Sequence, residues 1–489
     1  MQVVLFSDIA DTVGYGKYAG TYKIATEVRS HGYSCQVIDN FSWLGVDRLK
    51  ILIDKFITND TILVGFSCTL NEKRSDGKLY HWGITDEDFF NVLKYIKSKN
   101  KKIKTCVGGA RITIISDWPD IDYSIINKGD SAVLALLDHI QNNTSIKYIS
   151  NKHTKAINGD DYFYTQEQFN RSKILYEPND IILPTESLPM EIARGCIFSC
   201  AYCHFDLIGK RIGDWTKTPD NIREELVRNY ELYGTTNYMF SDELINESLP
   251  KLEMLANVVS QLPFKIRYTS YARVDLIKRY PEMRELLLES GAASLAFGIE
   301  TLNEQAGKAV GKGMNPNKVK ETLTYCKELW QDKIIISSNF IIGLPGETED
   351  SVWSTVNYLV SDECPLDMFG FLPLFIRANE DGRPGSKIDL NPKKFGYIVE
   401  EGKAWQGQTM SFTEASSLVR KIYQRKDVQQ KTKFSAATWV GRILALGYTV
   451  DEIFSIMKDS NIQGVSLDIE KRTNKMKNQY FKKLLSIGK

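Results

Sequence analysis

Through its first 145 residues the chain alternates short, largely apolar runs with longer stretches whose apolar positions recur every three or four residues. The runs at 3–6, 35–38, 61–66, 103–107 and 123–126 predict strands, and the stretches at 18–30, 46–56, 86–98 and 131–141 predict helices. Strands that are apolar on both faces and separated by helices predict a parallel sheet covered on both sides. Residues 146–185 are polar, with an Asn-Gly-Asp-Asp turn and weak periodicity, and read as a linker. A second series then begins, with strands predicted at 189–192, 237–241, 264–268, 293–297, 334–342 and 367–372. Helices are predicted between them at 221–232, 249–261, 281–289, 317–329 and 348–360. Six successive βα units predict a partial, open TIM-like barrel, whose functional groups gather at the carboxyl ends of its strands. Beyond about residue 395 the strand signal fades, and helices are predicted at 413–424, 436–446, 450–458 and 469–485. The expected fold is therefore α/β: a flavodoxin-like (Rossmann-type) domain over 1–145, a linker over 146–185, a partial (βα)6 barrel over 186–394 and a helical region over 395–489.

Composition changes this picture little. At 489 residues the chain is too long for one core. Its 62 basic and 61 acidic residues leave a formal charge of +1, so there is no overall field to attract nucleic acid. There is no run of 18 apolar residues to cross a membrane, and the start, Met-Gln-Val-Val-Leu-Phe, lacks the basic region of a secretory signal. Eight cysteines, three of them clustered, do not make a disulfide framework. A cytoplasmic location is expected.

The clustered cysteines carry the chemistry. Cys196, Cys200 and Cys203 follow the first barrel strand with the spacing Cys-x3-Cys-x2-Cys. Iron–sulfur cubes are normally held by four thiolates. Three on one loop would leave one iron open, and an open coordination site points to chemistry. The bland alternative is a zinc knuckle or three free thiols, although zinc sites favour paired Cys-x2-Cys units or nearby histidines. His204 adjoins the third cysteine and is too close in sequence to be an easy fourth ligand.

This spacing resembles that of the radical S-adenosylmethionine (SAM) superfamily. The resemblance implies a [4Fe–4S] cluster whose open iron is chelated by SAM, and reductive cleavage of SAM to a 5′-deoxyadenosyl radical. It also implies SAM contacts from Tyr202 in the cysteine loop, from Asp242 or Glu243 after the second strand, and from Arg273 after the third. Glu300 after the fourth strand would hold the ribose. Asn339, Gly343 and Gly346 in Asn-Phe-Ile-Ile-Gly-Leu-Pro-Gly-Glu-Thr would flank the adenosyl group. Each has an ordinary structural alternative: a helix cap for the acids, or an ion pair with Asp275 for Arg273. Trp405-Gln-Gly-Gln-Thr-Met-Ser411 resembles a segment that follows the barrel in cobalamin-type relatives, or is simply a loop capped at Ser411.

The amino-terminal region resembles the cobalamin-binding domain that precedes many such barrels. Ser67 and Leu70, Gly108-Gly109 and Gly129 stand at its ligand-side turns, and Asp11-Thr-Val13-Gly-Tyr-Gly16 fits the Asp-x-His-x-x-Gly frame with Val13 at the histidine position. Valine cannot ligate cobalt, so any bound cobalamin is expected base-off. The expected reaction is cobalamin-dependent methyl transfer to an unactivated carbon of a small-molecule or peptide substrate, with electrons from a donor such as flavodoxin or ferredoxin. A cobalamin-free or non-methylating radical reaction is the enzymatic alternative, and a non-catalytic iron–sulfur or nucleotide-binding protein the other. Cys35, Cys68 and Cys106 do not make a second cluster site. Cys35 opens its strand while the other two lie near the far ends of theirs, too distant at a rise of about 3.3 Å per residue.

Overall fold

The computed structural model describes the whole chain except residues 9–14, 68–71, 74–78, 81–84, 110–111, 115, 163–164, 206, 378–384, 401–403, 433–436, 460–461 and 489. Val13 and Leu70, and with them Cys68, lie outside the described residues.

Two parallel sheets organise the molecule. The first contains β1 (Val3–Phe6), β2 (Cys35–Ile38), β3 (Leu63–Ser67), β6 (Lys104–Gly108) and β7 (Tyr123–Ile126), with a small hairpin of β4 (Glu72–Lys73) and β5 (Leu79–Tyr80) set apart from it. β8 (Ile149–Ser150) and β9 (Lys155–Asn158) complete it in the order β2-β1-β3-β6-β7-β9-β8. Every pairing is parallel except β8 with β9. β1, β2 and β7 are buried along their whole length, as apolar runs covered on both faces require. The sheet thus extends past residue 145 into the stretch read as a linker. Only Ala156 and Ile157 of β9 are buried, so the strand has no apolar run to announce it.

The second sheet is β10 (Ser187–Met190), β11 (Asn237–Phe240), β12 (Arg267–Ala272), β13 (Ala292–Glu300), β14 (Ile335–Ile342) and β15 (Met368–Pro373), paired in chain order and open. All five pairings are parallel. Its helices follow the expected rhythm, several entered through proline at the first turn and a capping hydroxyl, as at Thr218 before Pro219–Tyr233 and Ser248 before Leu249–Ser260. β12 lies about three residues later than the apolar run 264–268 suggests. Its middle is Thr269 and Ser270, buried but polar, so the hydrophobic pattern misplaces it.

The helices after residue 395 share their cores with both sheets. Val440, Ile443 and Leu444 of Ala437–Ala445 pack with Ala293, Ile335 and Met368 of the barrel. Tyr480 and Leu484 of Ile462–Ser486 belong to the same core as Val4, Phe6 and Ile38 of the first sheet. At that junction Lys17 is fully buried, 2.8 Å from Asp39 and 3.6 Å from Glu186, with the Tyr480 ring 5.0 Å from its ammonium. Arg29 forks onto both oxygens of Asp180 beside it, at 2.7 and 2.6 Å.

Candidate active site

The cysteine loop leaves the carboxyl end of β10, at the mouth of the barrel. Its path depends on Gly195, whose φ is +81° and where a Cβ would stand 2.6 Å from both the carbonyl oxygen and the Cβ of Leu207. Only glycine fits there. The loop is then pinned on both sides. The Cys196 amide donates to the Leu207 carbonyl at 3.2 Å, and the Ala201 amide donates to the Val310 carbonyl at 2.9 Å.

The three thiols are electrostatic neighbours. Burial raises the Cys196 thiol, with Cys200 adding to the effect, and pushes Cys203 up to about 11, with Cys200 and Cys196 again contributing. Among the described residues no three His, Cys, Asp or Glu side chains stand within reach of one metal ion. Cys35, Cys106, Cys326 and Cys364 are buried and form no disulfide. Cys35 and Cys106 lie on β2 and β6, with β1 and β3 between them.

Acidic and basic groups surround the loop. Asp242, after β11, is committed to structure: its carboxylate accepts from the amides of Ile192 and Ala193 at 2.8 and 3.0 Å and from Lys251 at 2.7 Å. Glu243 accepts from the Gly195 amide at 2.8 Å, and burial pushes its carboxyl up to about 7. Arg273 caps the helix after β12. It forks onto Asp275 at 2.9 and 2.7 Å, lies 3.7 Å from the Phe198 ring centre, and donates to Cys200 Sγ at 3.4 Å. The ion pair with Asp275 is the ordinary alternative foreseen for Arg273; the contact with the sulfur is not foreseen.

Glu300 ends β13 in an unusual backbone state. The pairing with β14 slips between Phe297 and Glu300, and Glu300 has φ +68°. A bulge of this kind re-aims a side chain, and a left-handed non-glycine residue costs about 1–2 kcal/mol that the surroundings must offset. The carboxylate meets the phenol of Tyr202 and lies 3.5 Å from Lys312, whose ammonium donates to the Gly298 carbonyl at 2.6 Å. Lys312 has no signal in the sequence beyond its Gly-Lys-Gly turn. Tyr271, on β12, is 40% exposed yet its phenol is raised by burial and by the nearby Glu300 and Tyr18, while Arg442 opposes the shift. Tyr18 precedes the first helix of the amino-terminal region and Arg442 lies on a carboxy-terminal helix, so both regions come near the barrel at Tyr271.

The turn after β14 is tightly built. Asn339 is the half-buried position in an otherwise buried strand. Gly343 has φ +96°, and a Cβ there would stand 2.6 Å from the Trp405 ring. Tyr397 donates to its carbonyl at 2.6 Å. Its amide donates to Glu347 at 2.9 Å, whose carboxyl burial pushes up to about 7. Trp405 is thus packing for this turn, and Ser411 caps the helix Phe412–Tyr423 with a reciprocal bond to Glu414. Gly346, φ +80°, faces the Gln305 side chain.

At the first sheet, Ser67 and Gly108 end β3 and β6, Gly109 follows with φ +122°, and Gly129 follows β7. Asp130, next to Gly129, pairs with Arg194 of the cysteine loop at 2.7 Å. The carboxyl edges of the two sheets therefore face each other across this contact.

Residues 190–359 match the model of the radical SAM superfamily. An uncharacterized methyltransferase of Pyrococcus horikoshii is 23% identical over 295 residues, 55% of this chain and 61% of that protein, so the chain spans about three fifths of that relative's length. The radical SAM methyltransferase TsrM from Kitasatospora setae, solved with tryptophan substrate and a SAM analogue, superposes with a TM-score of 0.57 at 14% identity, covering 84% of this chain and 79% of that one. The cobalamin-dependent SAM radical enzyme OxsB, solved with aqua-cobalamin and SAM, superposes with a TM-score of 0.55 at 16% identity, covering 81% and 56%. The folds are alike across both sheets. The family implies a [4Fe–4S] cluster and SAM, and the donor set fits: three thiols on one loop, close enough that their charges influence one another. The segment 190–359 of this chain is a radical SAM domain.

Proposed function

We propose that the chain is a radical SAM enzyme that transfers a methyl group to an unactivated carbon with the help of cobalamin. When bound, the cluster supplies the electron that cleaves SAM, and cobalamin supplies the methyl-carrying metal. Cys196, Cys200 and Cys203 would hold the cluster. Glu300 and Tyr202 would meet the ribose, Glu243 the amino group, and the Asn339–Gly346 turn the adenosyl moiety. Asp242 braces the loop entrance, and Arg273, paired with Asp275, faces the Cys200 thiol, which would place it beside the cluster.

The single observation that carries this reading is the apposition of the two sheet edges. The Arg194–Asp130 pair joins them at 2.7 Å, and Tyr18, Glu300 and Arg442 all lie near enough to Tyr271 to influence its phenol. The first edge has small residues at its strand ends, Ser67, Gly108 and Gly109, whose short side chains would suit the approach of a broad flat ring. A substrate between the two edges, a small molecule or a peptide, would be reached from both sides. No helix among the described residues is long and apolar enough to cross a membrane. An oxygen-sensitive cluster suits a reducing cytoplasm and a flavodoxin- or ferredoxin-type donor.

Incubating anaerobically reconstituted protein with methyl-labelled SAM, cobalamin and candidate substrates tests the proposal. Label in a carbon-bound methyl group together with 5′-deoxyadenosine supports it. 5′-Deoxyadenosine alone, independent of cobalamin, moves the chain to the cobalamin-free reactions.

A further inference from the structure

A short helix far along the chain is laid against the cysteine loop. Lys387–Leu390 touches the loop through three consecutive residues. The Lys387 ammonium donates to the carbonyl of Ser199 at 2.7 Å and to its hydroxyl at 2.9 Å. The Ile388 amide donates to the Ala201 carbonyl at 3.0 Å. Asp389 Oδ2 meets His204 Nε2 at 2.5 Å. The contacts fall at positions 199, 201 and 204, so they bracket both Cys200 and Cys203.

Asp389 is built to hold its place. Its side chain is 1% exposed. It accepts from the amides of Arg377 at 2.8 Å and Ser386 at 3.0 Å, the second as half of a reciprocal cap with the Ser386 hydroxyl. A buried carboxylate with these partners is fixed in position before it meets the imidazole. The ring of His204 is 27% exposed and follows Cys203 directly, so its orientation sets the exit of the loop from the third ligand.

We propose that the Lys387–Leu390 helix is a clasp on the cluster-binding loop, with Asp389 as its positioning residue acting through His204. Neither touches the reacting atoms. The clasp holds the loop in the shape that three thiolates on one cube require, and slows release of iron. This rests on the cluster reading above, and the experiment separates the two.

The experiment uses the full chain, reconstituted anaerobically with iron and sulfide, with iron loss to a chelator followed by absorbance and the reduced cluster examined by electron paramagnetic resonance. His204→Ala and Asp389→Ala should both take up the cluster, lose iron about tenfold faster than the parent protein, and share an altered resonance spectrum. The double variant should lose iron no faster than either single variant, because the two residues act as one unit. Should Asp389→Ala fail to fold, His204→Ala, at a partly exposed ring, carries the test alone. Loss rates and spectra equal to the parent's overturn the clasp while leaving the cluster intact. A parent protein that takes up no cluster, indistinguishable from Cys203→Ala, overturns the cluster reading itself.

Discussion

Gly195, Glu300 and Glu347 are the residues whose local physics is most exposed to test. At Gly195 a Cβ would collide with Leu207 in a left-handed backbone. Gly195→Ala should therefore cost at least the roughly 1–2 kcal/mol of that conformation and lower iron uptake, read as iron per chain after reconstitution. Glu300→Ala should weaken SAM binding by about 1.5–3 kcal/mol, the value of a charge-assisted hydrogen bond, measured by calorimetry on reconstituted protein; unchanged affinity removes Glu300 from the pocket. Glu347 shows a pH effect with a definite sign. Its carboxyl sits at about 7 when folded against an ordinary 4.5, so the folded state holds that proton more tightly. Its contribution to stability is complete below about pH 4.5 and is lost as the pH rises through 7. Glu347→Gln should flatten the fall of the thermal midpoint over that window, by roughly 1.4 kcal/mol for each pH unit removed from the shift.

At the scale of elements, the strand–helix rhythm and the placing of the cysteines after the first barrel strand were legible, because largely apolar strands and their carboxyl ends are written in sequence. β12 was not, because Thr269 and Ser270 bury hydroxyls where a strand usually shows apolar side chains. β9 was hidden because only Ala156 and Ile157 of its four residues are buried. The bulge before Glu300 was invisible too, since Phe-Gly-Ile-Glu reads as plain strand. The cysteine spacing and the glycine turn after β14 are the parts of the sequence that point to the candidate site. What braces it did not show: Lys312, Asp389 and Asp130 meet their partners across 14, 185 and 64 residues. Asp242 was expected at SAM from its position after β11, and its three donors, the amides of Ile192 and Ala193 and the Lys251 ammonium, have no signal in the sequence.

Across the whole molecule, charge is buried where three parts of the chain meet. Lys17 comes from the first sheet's edge, Glu186 from the entry to the barrel and Tyr480 from the last helix. Lys17→Met would leave Asp39 and Glu186 facing each other without their cation. Breaking a buried pair from one side costs about 3–5 kcal/mol, and denaturant unfolding should show a loss of that order. A midpoint equal to the parent's would mean that the junction does not depend on this ion pair. The central claim is that three thiols on one loop hold a cube whose free iron meets SAM. Electron paramagnetic resonance of the reduced, reconstituted protein with and without SAM tests it most directly. The account predicts about four irons per chain and a spectrum that changes when SAM is added, both abolished in Cys196→Ala, Cys200→Ala or Cys203→Ala. A spectrum indifferent to SAM, or a cluster that survives loss of any of the three cysteines, would contradict it.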